Sequence, residues 1–353
     1  MKIWLEALTG KQALLVHHLA LKLEKIGHEV IITSRPYSID PANSNLDRLG
    51  RKHHSIGVYG GAKLSDKLIE GAKRIIELAR LIEAEQPDLL ISFPSPDAFR
   101  TAFGLGIKSI QINDTPHSFA PGRLTISLSN ALVYSKSIDQ KKFEQLGVTK
   151  FYPYDGVDEL EWLKDPVITS NALEELGLQS KNYVVARCEE SKAGYFQEFF
   201  PEIRPGSTIV VEVIHALRNA GYDLDIVAFP RYPEQKEELE AIDVIIPKQS
   251  IDTISLLSHA NVLLTGGGTM SREAALLGTP SIYSFPYPLD VSNYLKDKGF
   301  PIYHCPNLNE IPEQILKLIN LPPMDGLQKH QLLKSMETPF DGVMRVFKDF
   351  ELS

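Results

Sequence analysis

Short apolar runs alternate with longer amphipathic segments along this chain, and the alternation occurs twice. "KIWLEAL" reads as a buried strand. "KQALLVHHLALKLEKIG" follows with helical spacing, since Lys11, His18, Lys22 and Lys25 fall on one polar stripe. Gly27 ends that helix, and "HEVIITSR" is the next strand. "HHSIGVYG", "PDLLISF", "IKSIQIND" and "NALVYS" are further β-rich runs, with the helical "SDKLIEGAKRIIELARLIEAEQ" between two of them. The pattern restarts after about residue 180 with "NYVVARC", "YDLDIVAF", "DVIIP", "NVLLT" and "PSIYSF". "STIVVEVIHALRNAG", "IDTISLLSHA" and "TMSREAALLG" are the helices between them. Strands alternating with helices predict βαβ units and parallel sheets, an α/β fold.

A chain of 353 residues accommodates two such domains. We place them at 1–163 and 164–330, with a hinge near 155–170, in the mixed stretch that Pro153, Gly156 and Pro166 interrupt. The segment from about 331 to 353 is expected to pack back on the first domain, although "DGVMRVFKDFEL" reads as only weakly amphipathic. The net charge of −8 comes with no basic stripe, so no nucleic-acid partner is expected. Cys188 and Cys305 are far apart and in no metal-ligand spacing, as in a reduced, cytoplasmic protein. "MKIWLEALTGKQ" lacks the signal-peptide pattern, and no apolar run reaches the ~18 residues of a membrane span. Peripheral membrane contact and oligomeric state have no signal in the sequence.

In doubly wound domains ligands lie outside the carboxyl ends of the strands, so the loops after strands are where chemistry is sought. Gly266, Gly267 and Gly268 follow an apolar strand, and Thr269 stands where a helix cap is expected. Glycine admits close backbone approach, and a helix start offers N–H groups to an anion. The same glycines also suit a tight turn with no ligand. Ser271 belongs to the same turn, and Glu273 one turn on is placed to accept from ribose hydroxyls or simply to favour the helix dipole. Arg187 ends another strand and can clamp a diphosphate with paired donors. Glu189 and Lys192 follow it, Lys192 as a second phosphate candidate or a solvated lysine. Asp97 lies in "SFPSPDAF", as a reactive acid or a helix-start acid. Asp114 and His117 in "INDTPHSF" form a usable general-base pair, or an Asx-turn and a surface histidine. Thr9, Gly10, Lys11 and Gln12 join the first strand to the first helix. Lys11 is disfavoured at a helix N-terminus, which points to an anionic partner. "DLD" at 223–225 opens a strand instead of following one, so no metal site is read there.

The glycine turn, its glutamate-bearing helix and "LGTPSI" resemble the donor-site motif of GT-B glycosyltransferases and of the non-hydrolysing UDP-N-acetylglucosamine 2-epimerases. Through "IWLEALTGKQ", "LEKIGHEVIITSR", "FGLGIKSIQINDTPHS", "ARCEESKAGYF" and "GGGTMSREAALLGTPSI", nearly the whole chain is similar to an uncharacterised, largely archaeal family of GT-B-like proteins. The resemblance implies two Rossmann-like domains facing a central cleft. The N-terminal domain is then the acceptor side, with Thr9–Gln12 facing the acceptor, and the C-terminal domain holds a nucleotide sugar, UDP-linked by analogy. Arg187 and Glu189 match the epimerases' His-Arg-x-Glu motif, but Ala186 replaces its histidine. Asp97 and Asp114 stand near two epimerase acids, whereas Pro121, Gly122 and Arg123 occupy the place of a third. These departures favour metal-independent glycosyl transfer to an unidentified acceptor, with Asp97, Asp114 or His117 reactive and no cofactor besides the donor. Epimerisation and nucleotide-sugar binding without turnover are the alternatives.

Overall fold

The computed structural model describes the chain apart from residues 37–41, 62, 148–149, 193–199, 202, 205, 223, 250, 323 and 353. It divides into two units. Unit 1 comprises Met1–Trp162 and Met336–Ser353, and unit 2 Leu163–Ser335.

Unit 1 contains β1 (Lys2–Ala7), β2 (Glu29–Ser34), β3 (His54–Ser55), β4 (Leu89–Ser92), β5 (Lys108–Ile112), β6 (Ala131–Ser135) and β7 (Phe151–Tyr154). All are parallel, in the order β3-β2-β1-β4-β5-β6-β7. The order reverses between β1 and β4. Trp4, Ile31 and Leu90 face the helices Leu64–Glu85 and Pro96–Gly104 in one apolar layer. Toward the carboxyl end the same face turns polar: Glu6 pairs in register with Thr33 and Ser92, and Ser92 with Gln111. All four are buried. "HHSIGVYG" contributes only the two residues of β3. "FYPY", read as part of the hinge region, is β7 at the sheet edge, where Pro153 is tolerated.

The last helix, Pro339–Asp349, corrects the reading of a weakly amphipathic end. Pro339, Gly342, Val343, Val346 and Phe347 are all buried, at helical spacing, and the helix packs on β6 and β7. Gly342 permits this approach, because a Cβ there would meet Val133 Cγ1 at 2.6 Å.

Unit 2 contains β8 (Tyr183–Arg187), β9 (Asp225–Phe229), β10 (Val262–Thr265), β11 (Ser281–Tyr283) and β12 (Ile302–His304), parallel in the order β12-β11-β10-β8-β9. Its order reverses between β8 and β10. Val184, Ala186, Val262 and Leu264 pack on the helices Val210–Asn219 and Ile311–Ile319. On the other face Tyr183 donates its hydroxyl to Leu256 O of the helix Thr253–His259. Helices on both faces give the near-continuous apolar strands of a doubly wound sheet. "DVIIP", expected as a strand, makes only a single bridge from Ile245 to Val227. Cys188 and Cys305 are buried and unbridged. Among the described residues no helix is long and apolar enough to cross a membrane.

Candidate functional site

In unit 2 three strand ends lie side by side. Thr265 of β10 is in register with Arg187 of β8, and Arg187 with Phe229 of β9. The chain then runs on into Gly266–Gly268, Cys188–Glu189 and Pro230–Arg231. The glycine turn thus sits at the point where the sheet order reverses, the usual ligand position in such sheets.

The helix Gly268–Leu277 is capped by Gly267, which is extended at φ −126° and ψ 169°. Thr269 therefore lies inside the first turn and is not the cap. A glycine cap offers no side chain to the first N–H groups, and no acidic residue stands in the first turn. The positive end of the helix dipole is left unmatched by the helix itself.

The three glycines serve different ends. A Cβ on Gly266 would fall 2.6 Å from Glu189 Cα and still closer to Glu189 Cβ. Gly266 is there because two loops touch. A Cβ on Gly268 would meet Arg272 Nη1 at 2.6 Å and Leu289 Cδ1 at 2.7 Å, both ends of flexible side chains. A Cβ on Gly267 would have only Arg231 Nη2 at 3.8 Å and Thr265 Oγ1 at 4.0 Å nearby. Of the three, only Gly267 has room for a Cβ, which would make ordinary contacts with those two side chains.

Arg231 borders that space, and Arg187 stands at the adjoining strand end. Arg187 Nη1 donates to Pro230 O at 3.2 Å, and Arg231 Nε to Cys188 O at 3.1 Å. Each guanidinium is anchored to a backbone carbonyl across the strand ends. Arg231 carries no motif in the sequence and is found only through the register of β8 and β9.

The other residues expected here do different work. Glu189 is buried, and accepts from Ile209 N at 2.7 Å and Thr208 Oγ1 at 3.0 Å, closing the start of the helix Val210–Asn219. Burial pushes its carboxyl up to about 7. Ser271 is buried and donates to Gly268 O at 2.7 Å. Lys192 is exposed, bonded to Glu234 Oε1 at 2.7 Å and seated over the Tyr232 ring. Glu273 is buried in the glycine-turn helix. The remainder of "SKAGYF", from Ala193 onward, and Asp223 of "DLD" lie outside the described residues.

The state of Glu189 has a measurable consequence. An acid whose folded value lies above its unfolded value takes up protons on folding. Its contribution is therefore complete below about 4.5 and is lost as pH rises through about 7. Glu189→Gln is expected to flatten this part of the melting-temperature profile between pH 4 and 8. A profile of unchanged slope would show that the carboxyl does not titrate in the fold.

In unit 1 the strand ends gather charge. Lys11 Nζ lies 2.5 Å from Asp114 Oδ2, 2.7 Å from Asp158 Oδ2 and 3.7 Å from Glu159 Oε1, and 5.1 Å from the centroid of the Phe93 ring. The anionic partner implied by Lys11 is thus present in the chain itself. Tyr154 donates its hydroxyl to Asp158 Oδ1. Burial raises Asp158 to about 6, against the opposing pull of Lys11. Burial, with Asp158 beside it, holds Tyr154 well above its ordinary value. Thr9 caps the first helix by accepting from Gln12 N, while Gln12 Oε1 accepts from Leu8 N at 2.7 Å. The Asx-turn in "INDTPHSF" is made by Asn113, whose Oδ1 accepts from Thr115 N at 2.8 Å, and Asp114 is turned to Lys11. His117 is exposed.

Asp97 belongs to a second charged group at the β1/β4 reversal. Arg74 Nη2 is 2.8 Å from Glu6 Oε1, and Arg74 Nη1 is 3.4 Å from Asp97 Oδ2. Ser95 Oγ donates to Glu6 Oε1 at 3.1 Å. Burial raises the Asp97 carboxyl, and Arg74 opposes it. Among the described residues no group of three or more His, Cys, Asp or Glu side chains could hold a metal ion.

Two parallel α/β units with these strand orders make this a protein of the GT-B type. The model of the family described as "Protein of unknown function (DUF354)" matches residues 1–350, and the chain belongs to that family. An uncharacterised protein of Methanocaldococcus jannaschii is 29% identical over 348 residues, which are 96% of this chain and 95% of that one. Among solved structures, the UDP-GlcNAc 2-epimerase of Neisseria meningitidis bound to UDP-GlcNAc is similar over 100% of both chains, with a TM-score of 0.71 at 16% identity. Spinosyn forosaminyltransferase is similar over 99% of this chain and 98% of its own, with a TM-score of 0.59 at 16% identity. These likenesses are likenesses of fold.

Proposed function

We propose that the protein is a glycosyltransferase that takes a sugar from a nucleotide donor, UDP-linked as in its structural neighbours, to an acceptor. The observation that carries this reading is the unfilled position at Gly267, where a side chain would fit without displacing anything, between a helix N-terminus without a side-chain cap and Arg231. A diphosphate there receives backbone N–H groups, the helix dipole and the guanidinium groups of Arg187 and Arg231. In this reading these groups supply the positive charge that stabilises the departing nucleotide diphosphate. Asp114, held against Lys11, is the base for the acceptor hydroxyl.

One observation favours a second reading, epimerisation. Asp158, raised to about 6, sits with Asp114 around one lysine. A buried acid of raised proton affinity beside a second carboxyl suits removal and return of a proton on a sugar carbon.

UDP at about a hundredfold its dissociation constant is expected to stabilise unit 2 by about 2.7 kcal/mol and raise its melting temperature by about 5–10 °C. Arg231→Ala and Arg187→Ala are expected to remove that shift. If no uridine nucleotide moves the wild-type transition at millimolar concentration, the donor-site reading fails. Incubation with UDP-GlcNAc alone separates the two chemistries. A changed sugar without any acceptor assigns epimerisation, and an unchanged one with bound UDP excludes it and leaves transfer or binding without turnover.

A further inference from the structure

Arg35 directly follows β2, at the carboxyl edge of the unit 1 sheet beside β1. It stands next to Arg74 but differs from it in one respect. All three nitrogens of Arg74 are engaged: Nε with Ile56 O at 2.9 Å, Nη1 with Asp97, and Nη2 with Glu6 and Ser34 O. In Arg35, Nε is buried and has no hydrogen-bond partner among the described residues. The guanidinium instead lies over the Tyr59 ring, 5.3 Å from its centroid.

A guanidinium has five N–H donors, and leaving one buried and unmade is costly. Placing it beside a second arginine adds repulsion. Burial first, and then Arg74, lower its proton affinity, and Asp97 and Glu6 oppose them only in part. Stacking on Tyr59 offsets part of this cost but satisfies no N–H. Glu6 and Asp97, the nearby acids, are already taken by Arg74. Such an arrangement is unfavourable for the fold alone and becomes favourable when an oxyanion arrives.

We propose that Arg35, on its Tyr59 platform, binds an oxyanion, a phosphate or carboxylate group carried by the second substrate. The bearer's identity as the acceptor rests on the transferase reading; the anion site itself does not.

The test uses the full chain, with inorganic phosphate and acetate as separate probes, in buffer saturated with UDP so that the unit 2 arginines are occupied. Phosphate at about ten times its dissociation constant is expected to raise the wild-type unit 1 transition by about 3 °C. Arg35→Gln is expected to abolish that rise. Without probe, Arg35→Gln is expected to melt at or above the wild-type temperature, because it removes a buried cation with an unmade Nε–H beside Arg74. A structural arginine would do the opposite. A stronger response to phosphate assigns a phosphorylated bearer, and a stronger response to acetate assigns a carboxylate. If UDP does not bind, the same comparison is made in Arg231→Ala, so the donor reading can fail while this one stands. An Arg35→Gln protein that is destabilised, or that responds to both probes like the wild type, overturns the proposal.

Discussion

Gly266→Ala is expected to lower the melting temperature of unit 2 by about 6–12 °C, while Gly267→Ala leaves it within about 2 °C. The two residues are neighbours in one turn, so composition cannot tell them apart. The Cβ that Gly266→Ala introduces would overlap the Glu189 backbone, with Cα at 2.6 Å. Glu189 cannot retreat, because its carboxylate is bonded to Ile209 N and Thr208 Oγ1. Overpacking of this kind costs about 3 kcal/mol. The Cβ that Gly267→Ala introduces has space beside Arg231 and Thr265, in ordinary contact with both, on an extended backbone that any residue adopts. That same space is where the diphosphate is placed, so Gly267→Ala is expected to weaken the UDP-induced shift while the fold survives. Thermal unfolding of both variants, with and without UDP, checks this. Equal destabilisation by the two would mean that the turn is uniformly packed. A full UDP shift in Gly267→Ala would move the ligand elsewhere.

Much of the fold was legible because it depends on local pattern. The apolar runs from "KIWLEA" to "SIYSF" have the continuous burial of strands covered on both faces, and the intervening segments have helical spacing. β7 was hidden because "FYPY" contains a proline, which reads as a break but is admissible on an edge strand. The apolar face of the last helix was hidden because its apolar residues are spread among Asp341, Arg345, Lys348 and Asp349, and only the spacing of Val343, Val346 and Phe347 shows it. At the N-terminus, Thr9 accepts from Gln12 N and Gln12 Oε1 from Leu8 N, so both residues serve the start of the helix.

The sites were less legible because their members meet through topology. Asp158 is far from Lys11 in the chain and reaches it because β7 and β1 end on the same edge of one sheet. Arg231 approaches the glycine turn only because β9 lies next to β8 and β8 next to β10. No spacing in the sequence encodes either neighbour. What the sequence did carry was the mismatch of a lysine at a helix N-terminus. That mismatch was a sound pointer to negative charge, and its resolution was internal.

The same mismatch yields the largest effect expected in unit 1. Lys11→Met is expected to destabilise the protein by about 3–5 kcal/mol at pH 8, because it leaves buried carboxylates without their cation. Asp158 is 1% exposed and Glu159 fully buried, so water cannot replace the lysine. The loss should depend on pH, with a sign fixed by Asp158. Its folded value of about 6 lies above the ordinary value of 3.8, so its contribution is complete below 3.8 and disappears as pH rises through about 6. Lys11 opposes the rise, so removing it moves the folded value further up and extends the loss toward neutral pH. The melting-temperature difference between Lys11→Met and wild type should therefore be larger at pH 8 than at pH 5. Asp158→Asn in the Lys11→Met background should recover part of it, since one buried charge is gone while the amide oxygen still accepts from Tyr154. A difference that is constant with pH, and not relieved by Asp158→Asn, would mean that Lys11 acts through packing on Phe93 and not through charge.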